Sequence, residues 1–177
     1  MNMSRIIGLG NALVDIIVFI DRDELLEQLE LPKGSMQLVD IYRSGKIREA
    51  CESLPQSFAS GGSAANTIYG IARLGAECSF IGKVGKDDYG RIFREDLEKH
   101  GIKPILYTSD THSGRAVALI STDKERTFAT HLGAAVELLA ADLKPEAFGG
   151  HSIFHIEGYL VQDHELLRKA LKIAKDL

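Results

Sequence analysis

A run of small and polar residues, Ser60 to Asn66, carries the clearest sign of chemistry in the sequence. Its two glycines, Gly61 and Gly62, lead directly into a helical pattern. Glycine lets backbone N–H groups approach a bound molecule closely, and a helix N-terminus adds unpaired donors with partial positive charge. Asn66 adds a side-chain amide one turn into the helix. The run therefore favours a site for a small polar ligand, although a tight loop before a helix would need the same small residues.

Three more polar side chains follow strand-like runs, and open α/β sheets bind ligands beyond the carboxyl ends of their strands. Asn11 and Asp15 come after the first such run, and Glu157 follows a late one. The Asp15 carboxylate could accept hydrogen bonds from two neighbouring hydroxyls of a sugar, and the Asn66 amide could do similar work. The alternatives left open are an Asx turn at Asp15, a backbone cap at Asn66 and a surface acid at Glu157.

The nucleotide-binding motifs are incomplete. Gly82-Lys83 is followed by Val84, where a phosphate-binding P-loop needs Ser or Thr. Gly8-Leu9-Gly10 begins like a dinucleotide-binding loop, but Leu13 stands where the third glycine of that motif is needed. A Rossmann-type oxidoreductase is therefore a minor alternative.

Composition excludes several classes of partner. The 177 residues are 45% hydrophobic and 26% charged, and the net charge of −4 provides no basic surface for nucleic acid or an anionic membrane. No apolar run approaches the ~18 residues of a membrane span. Cys51 and Cys78 form neither a zinc spacing nor a disulfide framework, so a reducing cytoplasm is the expected location. His151 and His155 lie on one predicted strand, about 13 Å apart, which disfavours a metal pair.

Hydrophobic periodicity predicts alternating strands and helices, which is typical of a parallel α/β sheet flanked by helices. The predicted strands span 5–10, 14–20, 35–39, 56–60, 78–84, 105–108, 116–121, 126–130 and 152–156. The predicted helices span 21–31, 41–53, 63–74, 133–139, 142–148 and 166–174, and a further one ends at Lys99. Residues from about 16 to 60 and the hairpin at 116–130 fit this alternation poorly, so we expect them to form a second, smaller sheet.

In order along the chain, these motifs resemble the phosphofructokinase-B (PfkB, or ribokinase-like) carbohydrate kinases, and the resemblance covers nearly the whole chain. Its pieces are Gly8-x-Gly10-Asn11 with Asp15, Gly61 to Asn66, Leu74-Gly75-Ala76, Ile81 to Gly85 with Asp87 and Gly90, Gly114, and Glu125-Arg126-Thr127. Within the family, Leu31 to Gly34 and Leu132 to Ala135 look most like the adenosine-kinase-like branch.

The resemblance implies a three-layer α/β fold with a small β-sheet lid. Residues 1–177 would form the N-terminal part of a kinase domain, with lid segments at about 16–60 and 116–130. It also implies phosphorylation of the hydroxymethyl group of a sugar or nucleoside, adenosine- or ribose-like, with ATP as donor and Mg²⁺ as cofactor.

The resemblance also implies where the acceptor binds. In this sequence the residues that match the family's acceptor site, or lie beside it, are Asn11, Asp15, Gly61, Gly62, Asn66 and Glu157. The match at Glu157 holds for some members only. Phe19, Met36 and Phe128 could line an apolar slot for a nucleobase, or they could fill the core of the lid.

Two motifs of the family's pattern do not occur before Leu177. Both the Gly-Ala-Gly-Asp motif, which carries the catalytic base and an anion hole, and the Asn-x-x-Glu motif, which helps to organise magnesium, are absent. We therefore expect this chain to supply the acceptor-binding half of the fold, with the ATP and Mg²⁺ sites mostly outside it and little catalysis of its own. A non-catalytic sugar- or nucleoside-binding module is the alternative, and a homodimer is compatible with either.

Overall fold

Nine strands and six helices make up the regular structure of residues 5–176, the part of the chain that the computed structural model describes. The strands are β1 (Arg5–Leu9), β2 (Leu13–Phe19), β3 (Met36–Leu38), β4 (Gln56–Gly61), β5 (Glu77–Gly85), β6 (Ile102–Ser109), β7 (Gly114–Ile120), β8 (Arg126–His131) and β9 (Ile153–Ile156). The helices are α1 (Glu24–Gln28), α2 (Ile41–Ala50), α3 (Ser63–Arg73), α4 (Asp88–Lys99), α5 (Pro145–Phe148) and α6 (His164–Asp176). Within this described range, no helix combines the length and apolarity that a membrane crossing needs.

The main sheet has four parallel strands in the order β6–β5–β1–β9. Strands β1 and β5 are buried along almost their whole length, as expected of strands that are covered on both faces. Alternate residues of β1 point to opposite faces. Ile6 belongs to the apolar cluster formed with α3 and α4, whereas Ile7 and Leu9 belong to the cluster formed with α6. The resulting layers, helix–sheet–helix, confirm the predicted α/β fold.

A second sheet has five strands in the order β3–β8–β7–β2–β4, with both parallel and antiparallel pairs. Its strands come from residues 13–61 and 114–131, which include the two ranges that did not fit the alternation. One face of this sheet is covered by α1 and α2, because Val14, Ile16 and Val18 of β2 are buried in one cluster with Leu26 and Ile47.

The segment between β8 and β9 differs from its prediction. The helix predicted at 133–139 is a 3₁₀ turn, Gly133–Glu137, and the helix predicted at 142–148 is shorter than expected. A second 3₁₀ turn, Ala140–Asp142, precedes the single turn of α5, Pro145–Phe148. Side chains rather than a helical ladder hold the chain here, since the Asp142 carboxylate accepts a hydrogen bond (2.9 Å) from the backbone N–H of Leu139.

Two other elements have different lengths from those predicted. Helix α1 covers only the middle of the range 21–31, because Glu30 adopts a φ of 53° and ends the helical path before Pro32. Strand β6 begins at Ile102 rather than at residue 105. It is an edge strand, which is where sheets tolerate a proline such as Pro104.

Lys83 holds the irregular segment 133–142 against the main sheet, and we expect its loss to destabilise the protein. Its Nζ donates to the carbonyl oxygen of Glu137 (2.9 Å) and to the Asp142 carboxylate (2.9 Å), and the paired side chains are only 13% and 26% exposed. Lys83→Met would leave the Asp142 carboxylate partly buried without its cation. We expect the free energy of unfolding, measured by urea denaturation, to fall by about 2–3 kcal/mol.

Lys86→Met is the matched control for this prediction. Lys86 pairs with Asp110 at the surface, where the two side chains are 62% and 92% exposed. Such an exposed pair contributes about 0–1 kcal/mol to stability. Equal losses in the two lysine variants would contradict a special role for Lys83.

Candidate acceptor site

The candidate site lies where the carboxyl ends of β1 and β9 meet the first turn of α3. Asn11 follows β1, Glu157 follows β9, and Gly61 and Gly62 lead from β4 into α3. Parallel strands place their carboxyl ends at one edge of the sheet, and this edge is where the second sheet joins the main one.

Asp15 lies inside β2, so the Asx turn left open by the sequence is not its structure. It is paired with Ala59 of β4 on one side and with Ala116 of β7 on the other. Its side chain points to the face of the second sheet opposite to that covered by α1 and α2, which we call the open face. Burial raises the pKa of Asp15 to about 6, because the ionised carboxylate loses hydration there. The carboxylate is therefore ionised at neutral pH, and little bound water competes with a ligand for its oxygens.

Gly61 provides the space that the Asp15 carboxylate occupies. A Cβ built on Gly61 would overlap the Asp15 carboxyl group, and the three nearest atoms, Oδ1, Cγ and Oδ2, all belong to Asp15. Any side chain at position 61 would thus displace the carboxylate. The glycine is required here for the close approach of the Asp15 carboxylate, whereas its sequence context suggested the approach of a bound molecule.

Gly62 is required for a different reason. Its φ of 89° is in the region that favours glycine, and a Cβ there would also overlap the backbone oxygen of Asn11. As the N-cap residue of α3, Gly62 has no side chain that could cap the first turn. The N-terminal N–H groups of α3 are therefore available to donate hydrogen bonds to an electronegative group of a ligand.

Asn11 and Asn66 carry the two amides of the site. The Oδ1 atom of Asn11 is buried and has no hydrogen-bond partner among the described residues, which is unusual for a buried polar atom. Asn66 lies in the first turn of α3, where its backbone N–H donates to the Gly62 carbonyl (3.0 Å) and its side chain is exposed. A ligand hydroxyl would satisfy the orphaned oxygen of Asn11.

Glu157 is tied into the protein rather than being a free surface acid. Its carboxylate accepts a hydrogen bond from the Thr67 hydroxyl (3.0 Å) and contacts Nε2 of His155 (3.0 Å). Burial acts to raise the pKa of Glu157, but hydrogen bonds from Ser63, His155 and Thr67 outweigh it and hold the pKa below its usual value. Glu157 thereby joins the end of β9 to the start of α3.

Sequence reasoning missed Ser63, Thr67 and His155 as partners of Glu157. The signal for His155 was available, since residues two apart on a strand share a face. The pairing of Thr67 with Glu157 joins residues 90 positions apart, and no local pattern predicts it.

Gly8 and Gly10 serve helix packing rather than nucleotide binding. A Cβ on Gly10 would lie 2.6 Å from that of Ala64, and one on Gly8 would lie 2.9 Å from Cδ1 of Ile68. Both contacts are with α3, so the two glycines let this helix lie directly on β1. This explains the beginning of a dinucleotide-like motif without a dinucleotide.

The segment Gly85 to Gly90 is also structural in this protein. The Asp87 carboxylate accepts hydrogen bonds from the backbone N–H of Gly90 (2.9 Å), which begins α4, and from the N–H and hydroxyl of Ser113 (2.9 and 2.6 Å). The Ser113 hydroxyl oxygen in turn accepts from the N–H of Gly85 (2.8 Å). These contacts join α4 to the start of β7.

Apolar side chains accompany Asp15 on the open face of the second sheet. Ile17 and Phe19 follow Asp15 on the same side of β2, and register places Phe128 of β8 and Met36 of β3 on this face as well. Phe19 and Met36 are 55% and 54% exposed and Phe128 is half-buried. These side chains therefore do not fill a core, and they form an apolar surface on the same face of the sheet as the Asp15 carboxylate.

The described residues 5–176 contain no group of three or more His, Cys, Asp or Glu side chains that could hold a metal ion. His151 lies just before β9, with Nδ1 against the Phe148 carbonyl (3.0 Å) and Nε2 against the Ser79 hydroxyl (2.9 Å). His155 contacts Glu157. The two histidines thus have separate partners.

Comparison with known proteins identifies the family. A model of the pfkB family carbohydrate kinases matches residues 46–177. The chain belongs to this family. Among relatives, an aminoimidazole riboside kinase from Salmonella typhimurium is 37% identical over 89 residues, which cover 48% of this chain and 28% of that protein.

Solved structures agree with the pfkB assignment in fold. A probable sugar kinase from Rhizobium etli CFN 42 superposes with a TM-score of 0.86 at 30% identity. The superposition covers 99% of this chain and 54% of the sugar kinase chain. An adenosine kinase from Sinorhizobium meliloti superposes with a TM-score of 0.83 at 32% identity, covering 98% and 54%. The chain thus spans about half the length of these two pfkB-like kinases.

Proposed function

We propose that this chain forms the acceptor-binding part of an ATP-dependent kinase that phosphorylates the hydroxymethyl group of a sugar or nucleoside. The observation that carries the proposal is the Asp15 carboxylate, seated over Gly61 at the junction of the two sheets. Membership of the pfkB family and the resemblance to sugar and adenosine kinases support it.

The chemistry available at the site suits a polyol. The Asp15 carboxylate accepts two hydrogen bonds from neighbouring hydroxyls, each strengthened by its charge. Asn11 offers a buried amide oxygen, Asn66 an exposed amide, and the start of α3 offers backbone donors. Glu157, held by Thr67 and His155, adds a second carboxylate at the end of β9.

We further propose that the acceptor is a nucleoside in preference to a free sugar. A nucleoside combines a ribose, which needs a carboxylate and amides, with a flat apolar base. The open face that carries Asp15 also carries Phe19, Met36 and Phe128, and covering these side chains with a base would remove apolar surface from water.

ATP and Mg²⁺ enter this proposal through the family. Within residues 5–176 no three His, Cys, Asp or Glu side chains are grouped so that they could hold a metal ion, and neither Gly82-Lys83 nor Gly8-Leu9-Gly10 completes a nucleotide motif. The residues that are present therefore account for holding and orienting the acceptor only. A binding module without turnover is the second candidate, since the two carboxylates of the site, Asp15 and Glu157, both have roles in binding.

Calorimetric titration with adenosine, ribose and fructose tests acceptor binding by the chain. We expect saturable binding, tightest for adenosine, because only adenosine also covers the open face. Absence of binding by all three compounds would overturn both candidate functions, and equal binding of adenosine and ribose would overturn the nucleoside preference.

A chimaera separates the kinase from the binding module. The chain would be joined to the remaining part of the Sinorhizobium meliloti adenosine kinase, starting where the structural match ends. ATP-dependent phosphorylation of adenosine by the chimaera, lost in its Asp15→Asn form, is the expected result for a kinase. A folded chimaera that binds adenosine and phosphorylates nothing would favour the binding module.

A further inference from the structure

We infer that Asp96 is a positioning residue for the acceptor site, which acts on Gly61 and Gly62 through Ser60. The inference rests on the proposed function, because it assigns a task to a residue that touches no part of the proposed acceptor. Asp96 lies on α4, in the helical layer of the main sheet, whereas Ser60 lies on β4 of the second sheet.

Asp96 makes two short hydrogen bonds to one residue. Its Oδ2 atom accepts from the backbone N–H of Ser60 (2.7 Å) and from the Ser60 hydroxyl (2.6 Å). Ser60 is only 8% exposed, and the Asp96 side chain is 21% exposed. Hydrogen bonds to a carboxylate are roughly twice as strong as those between neutral groups, so the pair fixes Ser60 firmly.

Strand β4 needs such a contact because it is the edge strand of its sheet. It pairs with β2 on one side only, and N–H groups on its other side have no strand partner. The carboxylate of Asp96 supplies the missing acceptor at Ser60, which is the residue opposite Val14 and directly before Gly61. Asp96 thereby anchors the last residues of the edge strand β4 to α4.

The next two residues tolerate very little displacement. Gly61 packs against the Asp15 carboxylate, and Gly62 packs against the backbone oxygen of Asn11, in both cases with no room for a Cβ. A shift of Ser60 would therefore move Asp15, or the start of α3, relative to Asn11. Binding sites need their groups held to within about 0.5 Å, so loss of this anchor would weaken acceptor binding without removing any group that touches the acceptor.

Three substitutions and one control test the inference in the complete chain. Asp96→Ala removes both hydrogen bonds, Asp96→Asn keeps a neutral acceptor oxygen, and Ser60→Ala removes only the hydroxyl donor. Glu95→Ala is the control, because Glu95 is the neighbouring carboxylate on α4 and pairs with Arg91 at the surface.

Adenosine affinity by calorimetry and amide hydrogen exchange of residues 59–66 are the two readouts. We expect Asp96→Ala to weaken binding about tenfold or more and to speed exchange in this segment, while Asp96→Asn and Ser60→Ala give about two- to threefold effects and Glu95→Ala none. Partial rescue by Asn is what positioning through an acceptor oxygen requires.

Wild-type affinity in both Asp96 variants, or unchanged exchange at residues 60–62, would overturn the inference. If the unsubstituted chain binds no adenosine, the proposed function fails, and the exchange measurement still decides whether Asp96 positions the glycine pair. Should Asp96→Ala not fold, Asp96→Asn and Ser60→Ala give the same comparison with smaller changes.

Discussion

Asp15→Asn is expected to weaken acceptor binding about 100-fold while making the protein more stable at pH 7.5. The loss follows because the charged acceptor of two ligand hydroxyls becomes a neutral amide, and hydrogen bonds to charged groups contribute about 1.5–3 kcal/mol each. The gain follows because the structure keeps a carboxylate that burial penalises, with a pKa raised to about 6.

The stability gain has a defined dependence on pH. The unfolded carboxyl titrates near 3.8 and the folded one near 6, so the folded state binds the proton more tightly. Binding of this proton to Asp15 stabilises the folded state. That stabilisation is complete below pH 3.8 and is lost as the pH rises through 6, so the Asn variant differs from the unsubstituted protein only at higher pH. A rise of about two pKa units corresponds to at most about 3 kcal/mol, and partial exposure of the side chain reduces the expected gain of the Asn variant to about 1–2 kcal/mol above pH 6.

Urea denaturation at pH 4 and pH 7.5, together with adenosine titration, measures both effects. The two proteins should have similar stability at pH 4 and differ at pH 7.5, and binding by the unsubstituted chain should weaken below pH 6 as Asp15 takes up its proton. Asp21→Asn, which alters an exposed carboxylate just beyond β2, should change stability by less than about 0.5 kcal/mol. A less stable Asp15→Asn variant at pH 7.5 would contradict the raised pKa.

Gly61→Ala is expected to abolish most acceptor binding through Asp15. The added Cβ would take the place of the Asp15 carboxyl group, which must then rotate away. Because the obstructing atoms are the end of a side chain, we expect a modest loss of stability, about 1–2 kcal/mol, but a loss of affinity close to that of Asp15→Asn. Gly62→Ala should cost more, about 2–4 kcal/mol, since its φ is positive and its obstructing atom is a backbone oxygen.

A double-mutant cycle with Asp15→Ala tests this explanation. Once the carboxylate is gone, Gly61→Ala should cost less than about 0.5 kcal/mol, which would be a coupling of about 0.5–2 kcal/mol between the two positions. Gly70→Ala is the control: no atom lies within 4 Å of its added Cβ in the middle of α3, so it should stabilise the helix by about 0.5–1 kcal/mol. Equal costs of Gly61→Ala with and without Asp15 would rule out the proposed overlap.

The parallel sheet could be predicted because the patterns that indicate its strands and helices lie within short stretches of the sequence. The apolar runs at β1 and β5 and the helical pattern after Ser63 are each contained in one short window. Helix caps are local in the same sense, since the Asp40 and Asp163 carboxylates accept from the backbone N–H groups of Arg43 (2.8 Å) and Leu166 (2.9 Å). The prediction was less accurate at 133–144, where 3₁₀ turns replace α-helix and Lys83 contacts the Glu137 carbonyl and the Asp142 carboxylate.

Candidate site residues were found from residue types and family motifs, but their physical roles depend on contacts between distant segments. The need for Gly61 arises from Asp15, which is 46 positions away, and the sequence did not distinguish this from the need for a flexible loop. The hydrogen bonds of Asp96 to Ser60 and of Thr67 to Glu157 likewise join separate elements. No periodicity within one window carries such information.

The central position of β1 has a consequence for the order in which the protein folds. Although β1 precedes the other described strands along the sequence, Arg5 pairs with Glu77 and Ile6 pairs with Ile153. Long-range parallel pairing is slow, because the entropy of closing large loops is lost before the contacts are gained. The proposed site includes Glu157 at the end of β9, so a ligand cannot assist the early stages of folding. Acceptor binding would then occur late in folding. The fraction of molecules that bind the acceptor would measure the fraction that has completed the fold.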